Sequence, residues 1–156
     1  MFQPKNELFF LFGLASFLIA HIFYIIFFYK VKVSEGIKNK PLLFVIAAVY
    51  YAALISWLFP HLGKMKMPVC VYGIFISIMF MLAMHLLSLK NKPAGRQIFA
   101  GALLFVISDS TLAINKFYQP FELAGIIIML TYGLAQFFII KGASEQINSA
   151  AIIKPV

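Results

Sequence analysis

An acidic residue stands where a membrane tolerates almost no charge. Asp109 lies inside IFAGALLFVISDSTLAINK, residues 98 to 116, a stretch long and apolar enough to cross a bilayer. A carboxylate near the middle of such a helix costs roughly 3 kcal/mol on insertion scales, and more if it stays ionised and unpaired. Ser108, Ser110 and Thr111 flank it, and Asn115 follows. Glu7, Glu35, Glu122 and Glu145 all sit at segment ends or in loops, so no other acid lies within an apolar run. A group of this kind is either part of a functional site or a hydrogen-bond anchor between helices, and what it faces decides which. His21, within another apolar run, poses the same choice between a second ionisable group of one site and a satisfied packing residue. Tyr24, Tyr132 and Gln136 carry the remaining polar tips that the runs turn inward.

The elements that position these residues follow from composition. Hydrophobic residues make up 63% of the 156, and mean hydropathy is +0.95, well beyond a soluble domain. The fold class expected is all-α, a polytopic transmembrane bundle of about five helices over residues 8–29, 41–59, 68–89, 98–115 and 121–140. Strands are excluded because spanning strands need only about 10 alternating residues, and these runs are longer and do not alternate. One bundle over 1–142 and a short, mobile C-terminal tail over 143–156 account for the length. The first run is too long for a cleavable signal, and Lys30, Lys32 and Lys38 follow it where small residues would be needed. Pro41 suits a helix start, and Pro60 with Gly63 ends the second run.

The net charge of +8 does not point to nucleic acid, because the basic residues sit in short loops and form no stripe. They report topology instead. Lys30, Lys32, Lys38, Lys40, Lys90, Lys92, Arg96, Lys141 and Lys154 fall on one side of the bundle, and Lys5, Lys64, Lys66 and Lys116 on the other. The richer side is expected to be cytoplasmic, which places the N-terminus outside and the C-terminus inside. Cys70 is the only cysteine, so neither an intramolecular disulfide nor a cysteine metal site is expected. Two separated histidines and one aspartate show no metal-ligand spacing, and no cofactor is expected.

Within the runs, small and polar residues recur at helical spacing. Gly13, Phe17, His21, Tyr24 and Phe28 share one face, and Gly73, Ser77, Met81, His85 and Ser88 another. Gly125, Met129, Tyr132 and Gln136 form a third, and Gly101, Phe105, Ser108, Asp109, Leu112 and Asn115 a fourth. Taken alone, such stripes read as packing seams, since Gly lets backbones approach and polar side chains bond across helices. Trp57, Tyr29, Tyr50 and Tyr51 read as anchors at the membrane interface.

The stretch GALLFVISDSTLAINKF resembles the signature of the YhhN-type lysoplasmalogenases, small multipass membrane proteins with a Ser-Asp pair after an apolar lead. FGLASFLIAHIFYIIFF, with its Ala-His and a tyrosine three residues on, resembles an earlier helix of that family. TYGLAQFFIIKG, with its Tyr and Ala-Gln pair, resembles the closing helix. The matches fall in family order and cover nearly the whole chain. Family members have about eight membrane helices and a further Gly-Asp motif before the Ala-His helix. The resemblance therefore implies a shortened member carrying the last five helices, with Met1, Phe2, Gln3 and Pro4 reading as the end of that motif.

The activity implied is hydrolysis of the vinyl-ether bond of lysoplasmalogen, giving a fatty aldehyde and a glycerophospho-base. Such ethers are cleaved by protonating the distal alkene carbon, after which water attacks the oxocarbenium ion. Desolvation favours the neutral form of a buried carboxyl, which suits Asp109 as proton donor, with His21 assisting as base or hydrogen-bond partner. The resemblance also implies a second catalytic aspartate in the Gly-Asp motif that this sequence lacks, so the implied hydrolase is expected to be incomplete in this shortened chain. Tyr24, Ser108, Tyr132 and Gln136 are the candidates for holding water or substrate. The expected partners are a lysophospholipid substrate and the bilayer, in a bacterial inner membrane. The alternative is a non-catalytic lipid-binding or carrier bundle in which Asp109 meets a cationic head group or pins helices together.

Overall fold

The computed structural model describes residues 4–153, with side chains from Leu8 to Ala151. Met1, Phe2 and Gln3, read above as the end of a motif, lie outside the described residues, as do Lys154 and the side chain of Lys5. Five helices follow in order: α1 (Pro4–Ser34), α2 (Pro41–Leu58), α3 (Lys66–Leu86), α4 (Lys92–Ala113) and α5 (Ala124–Ile153). Each contains a span long and apolar enough to cross a membrane, and the described residues contain no strand. The protein is an all-helical integral membrane bundle.

Local chemistry sets the helix ends. α1 runs five residues past the expected boundary and stops where Gly36 takes a φ of 63°. There Ile37 N–H bonds the Lys32 carbonyl and Gly36 N–H bonds that of Val33, both at 3.0 Å. This paired closure of orphan carbonyls needs a left-handed residue, which glycine supplies without strain. α4 starts earlier than expected, at Lys92, because Asn91 caps it by accepting from Ala94 N–H at 3.3 Å, with Pro93 in the first turn. Its C-terminal end widens into a π turn over Ile114–Tyr118.

The tail expected over 143–156 is helical as far as residue 153, as the continuation of α5. Two features carry the helix through. Gly142 lies in helical register against α4, where an added Cβ would stand 2.8 Å from the Ala94 carbonyl oxygen. Beyond it, Gln146 donates to Glu35 Oε1 at 2.9 Å, Gln97 donates to Glu145 Oε1 at 3.1 Å, and Asn91 donates to Ser149 Oγ at 2.8 Å. These bonds tie the extension to α4 and to the end of α1.

α3 is the central helix. Two-thirds of its span is buried, and it packs on α1, α2 and α4. Met79, Ala83 and Leu86 of α3 join Phe28, Ile98, Ala102 and Phe105 in the main core. The tightest pairing is α4 with α5, where Gly101 brings the backbones together. A Cβ there would lie 2.7 Å from the Ala135 carbonyl oxygen and 2.8 Å from Ile139 N. The inward face expected for α5 is corrected in part: Gly125 and Met129 turn outward, and Ala124, Ala135, Ile139 and Gly142 make the contact. Small residues at this face permit the approach that Met129 would block. The contact predicts that Gly101→Ala lowers stability by roughly 1–3 kcal/mol through backbone overpacking. Gly125→Ala, with nothing within 4 Å of its added Cβ, should leave thermal unfolding in detergent unchanged or slightly raised.

Candidate active site

Asp109 faces the interior. Its side chain is 9% exposed, and side chains from two other helices converge on one of its oxygens. From α3, the Tyr72 hydroxyl donates to Asp109 Oδ2. From α1, His21 Nε2 stands 3.8 Å from the same atom. His21 is fully buried, and its Nδ1 lies 2.7 Å from the Phe17 carbonyl oxygen. A carbonyl only accepts, so Nδ1 carries a proton, and in the neutral ring Nε2 is left with a lone pair. That nitrogen is buried without a hydrogen-bond partner. A lone pair and a carboxylate oxygen in apolar surroundings repel, so one proton on either group makes the pair favourable. The rings of Tyr72 and Phe105 fix the imidazole edgewise, at centroid distances of 5.3 and 4.7 Å.

Beside the carboxyl lies a small cavity of about 40 Å³, whose polar lining is Tyr50, Tyr72, Asp109 and Ser110. Leu54, Ile76 and other apolar side chains complete it. Ser110 donates to the Val106 carbonyl at 2.6 Å, so the Tyr50 hydroxyl, 3.0 Å from Ser110 Oγ, is the donor of that pair. A space this size with several polar partners suits water. An apolar groove of about 310 Å³ between α1 and α3 ends on the other side of Tyr72, lined by Leu11, Ala15, Leu18 and Val71 among others.

Of the six residues singled out from the sequence, the structure brings Asp109 and His21 together. Tyr24, Tyr132 and Gln136 form a separate chain between α1 and α5. Tyr24 donates to Gln136 Oε1, and Gln136 Nε2 lies 3.3 Å from the Tyr132 hydroxyl. The Phe105 ring packs against His21, Tyr24 and Tyr132. Ser108 turns to α5 and donates to the Ile128 carbonyl at 3.1 Å. His21 itself does not line the cavity; it approaches the acid from behind.

Tyr72 and Tyr50 escaped the sequence reading. Tyr50 was expected at the membrane interface, but its hydroxyl points to Ser110 in the interior. Tyr72 lies one residue before the Gly73 stripe, and a readable signal was present: Val69, Tyr72, Ile76, Met79 and Ala83 are the buried face of α3. A tyrosine buried in a membrane helix needs a partner for its hydroxyl. Among the described residues no three side chains of metal-ligand type converge.

A polytopic helix bundle holding a carboxyl, an imidazole and a phenol together in its interior defines a membrane protein with a buried cluster of titratable groups. More particularly, the chain belongs to the YhhN family, whose model matches residues 1–143. It is similar to the lysoplasmalogenase TMEM86B of Sus scrofa, 33% identical over 88% of this chain and 55% of that protein. It is likewise similar to a lysoplasmalogenase of Mycobacterium bovis, 31% identical over 85% of this chain and 50% of that protein. The lysoplasmalogenase TMEM86A of Bos taurus is 32% identical over 91% of this chain and 58% of its own length. The chain thus spans about half the length of the curated relatives it matches. No solved structure matches it.

The shared oxygen makes Tyr72 and Asp109 energetically coupled. Tyr72→Phe should cost roughly 1–3 kcal/mol by leaving a buried acceptor without its donor, and much less in an Asp109→Leu background. A double-mutant cycle on detergent unfolding measures the difference.

Proposed function

We propose that this protein is a lysoplasmalogenase-type hydrolase that works on lysophospholipids bearing a vinyl ether. The observation that carries the reading is the meeting of His21 and Tyr72 on one oxygen of Asp109, beside a water-sized cavity. The names of the relatives supply the substrate class.

In this reading Asp109 gives its proton to the distal carbon of the vinyl ether. The alkene electrons form the new C–H bond, and the ether oxygen shares the positive charge left on its neighbouring carbon. Water from the cavity attacks that carbon and loses a proton to the Asp109 carboxylate. The hemiacetal then collapses: the glycerol oxygen leaves with a proton, and the fatty aldehyde forms. One water is consumed and the acid is restored. His21, with its lone pair on Nε2, holds a proton in transit and keeps the carboxyl oriented; Tyr72, whose ring packs against the imidazole, holds the same oxygen. Tyr50 and Ser110 orient the water. Tyr24, Tyr132, Gln136 and Ser108 support the site by fixing α5 against α1 and α4.

No second carboxylate approaches Asp109 among the described residues. Glu35 is bonded to Gln146 and Glu145 to Gln97, both at the opposite end of the bundle. The acid–base groups that this chain itself brings together are Asp109 and His21. We infer that the end bearing Lys30, Lys38, Lys40, Lys90, Lys92, Arg96 and Lys141 faces the cytoplasm of a bacterial inner membrane; the excess of basic residues at that end supports the orientation.

The test is aldehyde release from lysoplasmalogen by the purified full chain in detergent. The wild-type chain should release aldehyde. Asp109→Asn should lower the rate by about 10³-fold or more, and His21→Gln by about 10²-fold, within the range of general acid–base contributions. Full activity in Asp109→Asn overturns the assignment of the acid. Stoichiometric binding of lysophospholipid without any aldehyde overturns the hydrolase in favour of a lipid-binding bundle.

A further inference from the structure

The basic end of the bundle holds a charged side chain that the acid–base site does not use. Lys32, in the last turn of α1, is only 8% exposed. Its ammonium donates to Asn39 Oδ1 at 2.5 Å, a neutral partner that occupies one of three donors. Among the described residues no carboxylate lies within ion-pair distance of it. Glu35, the acid on the adjoining loop, turns away to Gln146. Burying an ammonium without an anion is costly, so this position favours a negatively charged group.

Lys32 opens into a groove of about 310 Å³ bounded by α1, α2 and α3, with Tyr29, Phe44, Ile78 and Met81 in its walls. Phe44, Ile78 and Met81 also line a second groove of about 200 Å³, which continues between α2 and α3 past Ala48 and Ile74. The polar groups along this path are already committed. His85 has Nδ1 2.9 Å from the Met81 carbonyl oxygen, and its Nε2 accepts from Lys40 N–H at 3.2 Å. Ser77 donates to the Gly73 carbonyl and Tyr51 to that of Cys70. No acidic side chain lines either groove. One end therefore offers a buried cation, and the rest offers hydrocarbon.

We propose that these two adjoining grooves together form a binding site for an anionic phospholipid, with its phosphate on Lys32 and one acyl chain lying along Phe44, Ala48, Ile74 and Ile78. Exposed Lys30 and Lys38 nearby add positive charge, and nothing acidic meets the cationic part of a choline or ethanolamine head, which selects a lipid of net negative charge. The site is separate from the proposed substrate position. Lys32 lies eleven residues beyond His21 on α1, about 16 Å along the helix axis. The three-carbon glycerol of one lipid cannot bridge that distance, so one molecule does not place its phosphate on Lys32 and its ether oxygen at Asp109. The inference goes beyond the hydrolase reading and stands without it.

Native mass spectrometry of the full chain, incubated in detergent with phosphatidylglycerol, phosphatidylcholine or inorganic phosphate, tests it. The wild-type chain should retain one phosphatidylglycerol about tenfold better than phosphatidylcholine, the equivalent of one charge-assisted hydrogen bond. Inorganic phosphate should not displace it. Lys32→Met should lose that preference, and Ala48→Trp, at an exposed position where a large ring fills the groove, should reduce retention by a similar factor. Asp109→Asn should retain the lipid like wild type, so a failure of hydrolysis leaves this result intact. Equal retention of both lipids, displacement by inorganic phosphate, or unchanged retention in Ala48→Trp overturns the proposal. Ala48→Trp decides alone if Lys32→Met does not fold.

Discussion

A buried carboxyl in a membrane helix must have its oxygens satisfied from neighbouring helices, since the bilayer offers neither water nor donors. In this protein that constraint falls on Oδ2 of Asp109, which receives the Tyr72 hydroxyl from α3 and faces His21 Nε2 from α1. Helices α1, α3 and α4 are thereby fixed in depth and rotation at one point. A slip of either partner by one residue turns its polar tip about 100° away and leaves the acid without a donor. The position of α3 at the centre of the bundle follows the same logic, because it must reach α4 while packing α1 and α2 on its other faces.

The remainder of the bundle acts as a brace for that junction. Gly101 and Gly142 let α4 and α5 approach to backbone contact, so the helix carrying the acid has a rigid neighbour along most of its length. The Tyr24–Gln136–Tyr132 chain joins α1 to α5 and encloses Phe105, whose ring also presses on His21. The imidazole is thus set by its backbone bond to Phe17 on one side and by aromatic edges on others. Fixed tautomer and fixed orientation are what a proton carrier needs if its transfer is to be directional. At the opposite end, hydrogen bonds from Gln146, Gln97 and Asn91 hold the last turns of α5 against α4 and the end of α1.

The molecule separates its polar chemistry by depth. The acid, imidazole and phenol sit in the interior beside a small cavity, and Lys32 sits near the basic end beside grooves lined mainly by apolar side chains. Between them α3 presents mainly apolar side chains, with Ser77 bonded back to its own helix.

By itself the sequence determined the class and the number of helices, because the length of an apolar run and its lack of alternation depend on local composition alone. It also marked Asp109 and His21, since the cost of placing an ionisable group in an apolar run is a property of that run. The helix ends were less legible: Gly36, Asn91 and Gly142 each act through a particular backbone conformation or a neighbouring helix, and Gly142 proved to be a packing contact where a terminus was expected. The tertiary structure alone decided that Tyr72 joins the acid, that Tyr50 points inward, and that Tyr24, Tyr132 and Gln136 form a cluster of their own. Helical spacing gives the face on which a side chain lies, but the rotation of one helix against another is fixed by close packing among all of them, and no single segment encodes it.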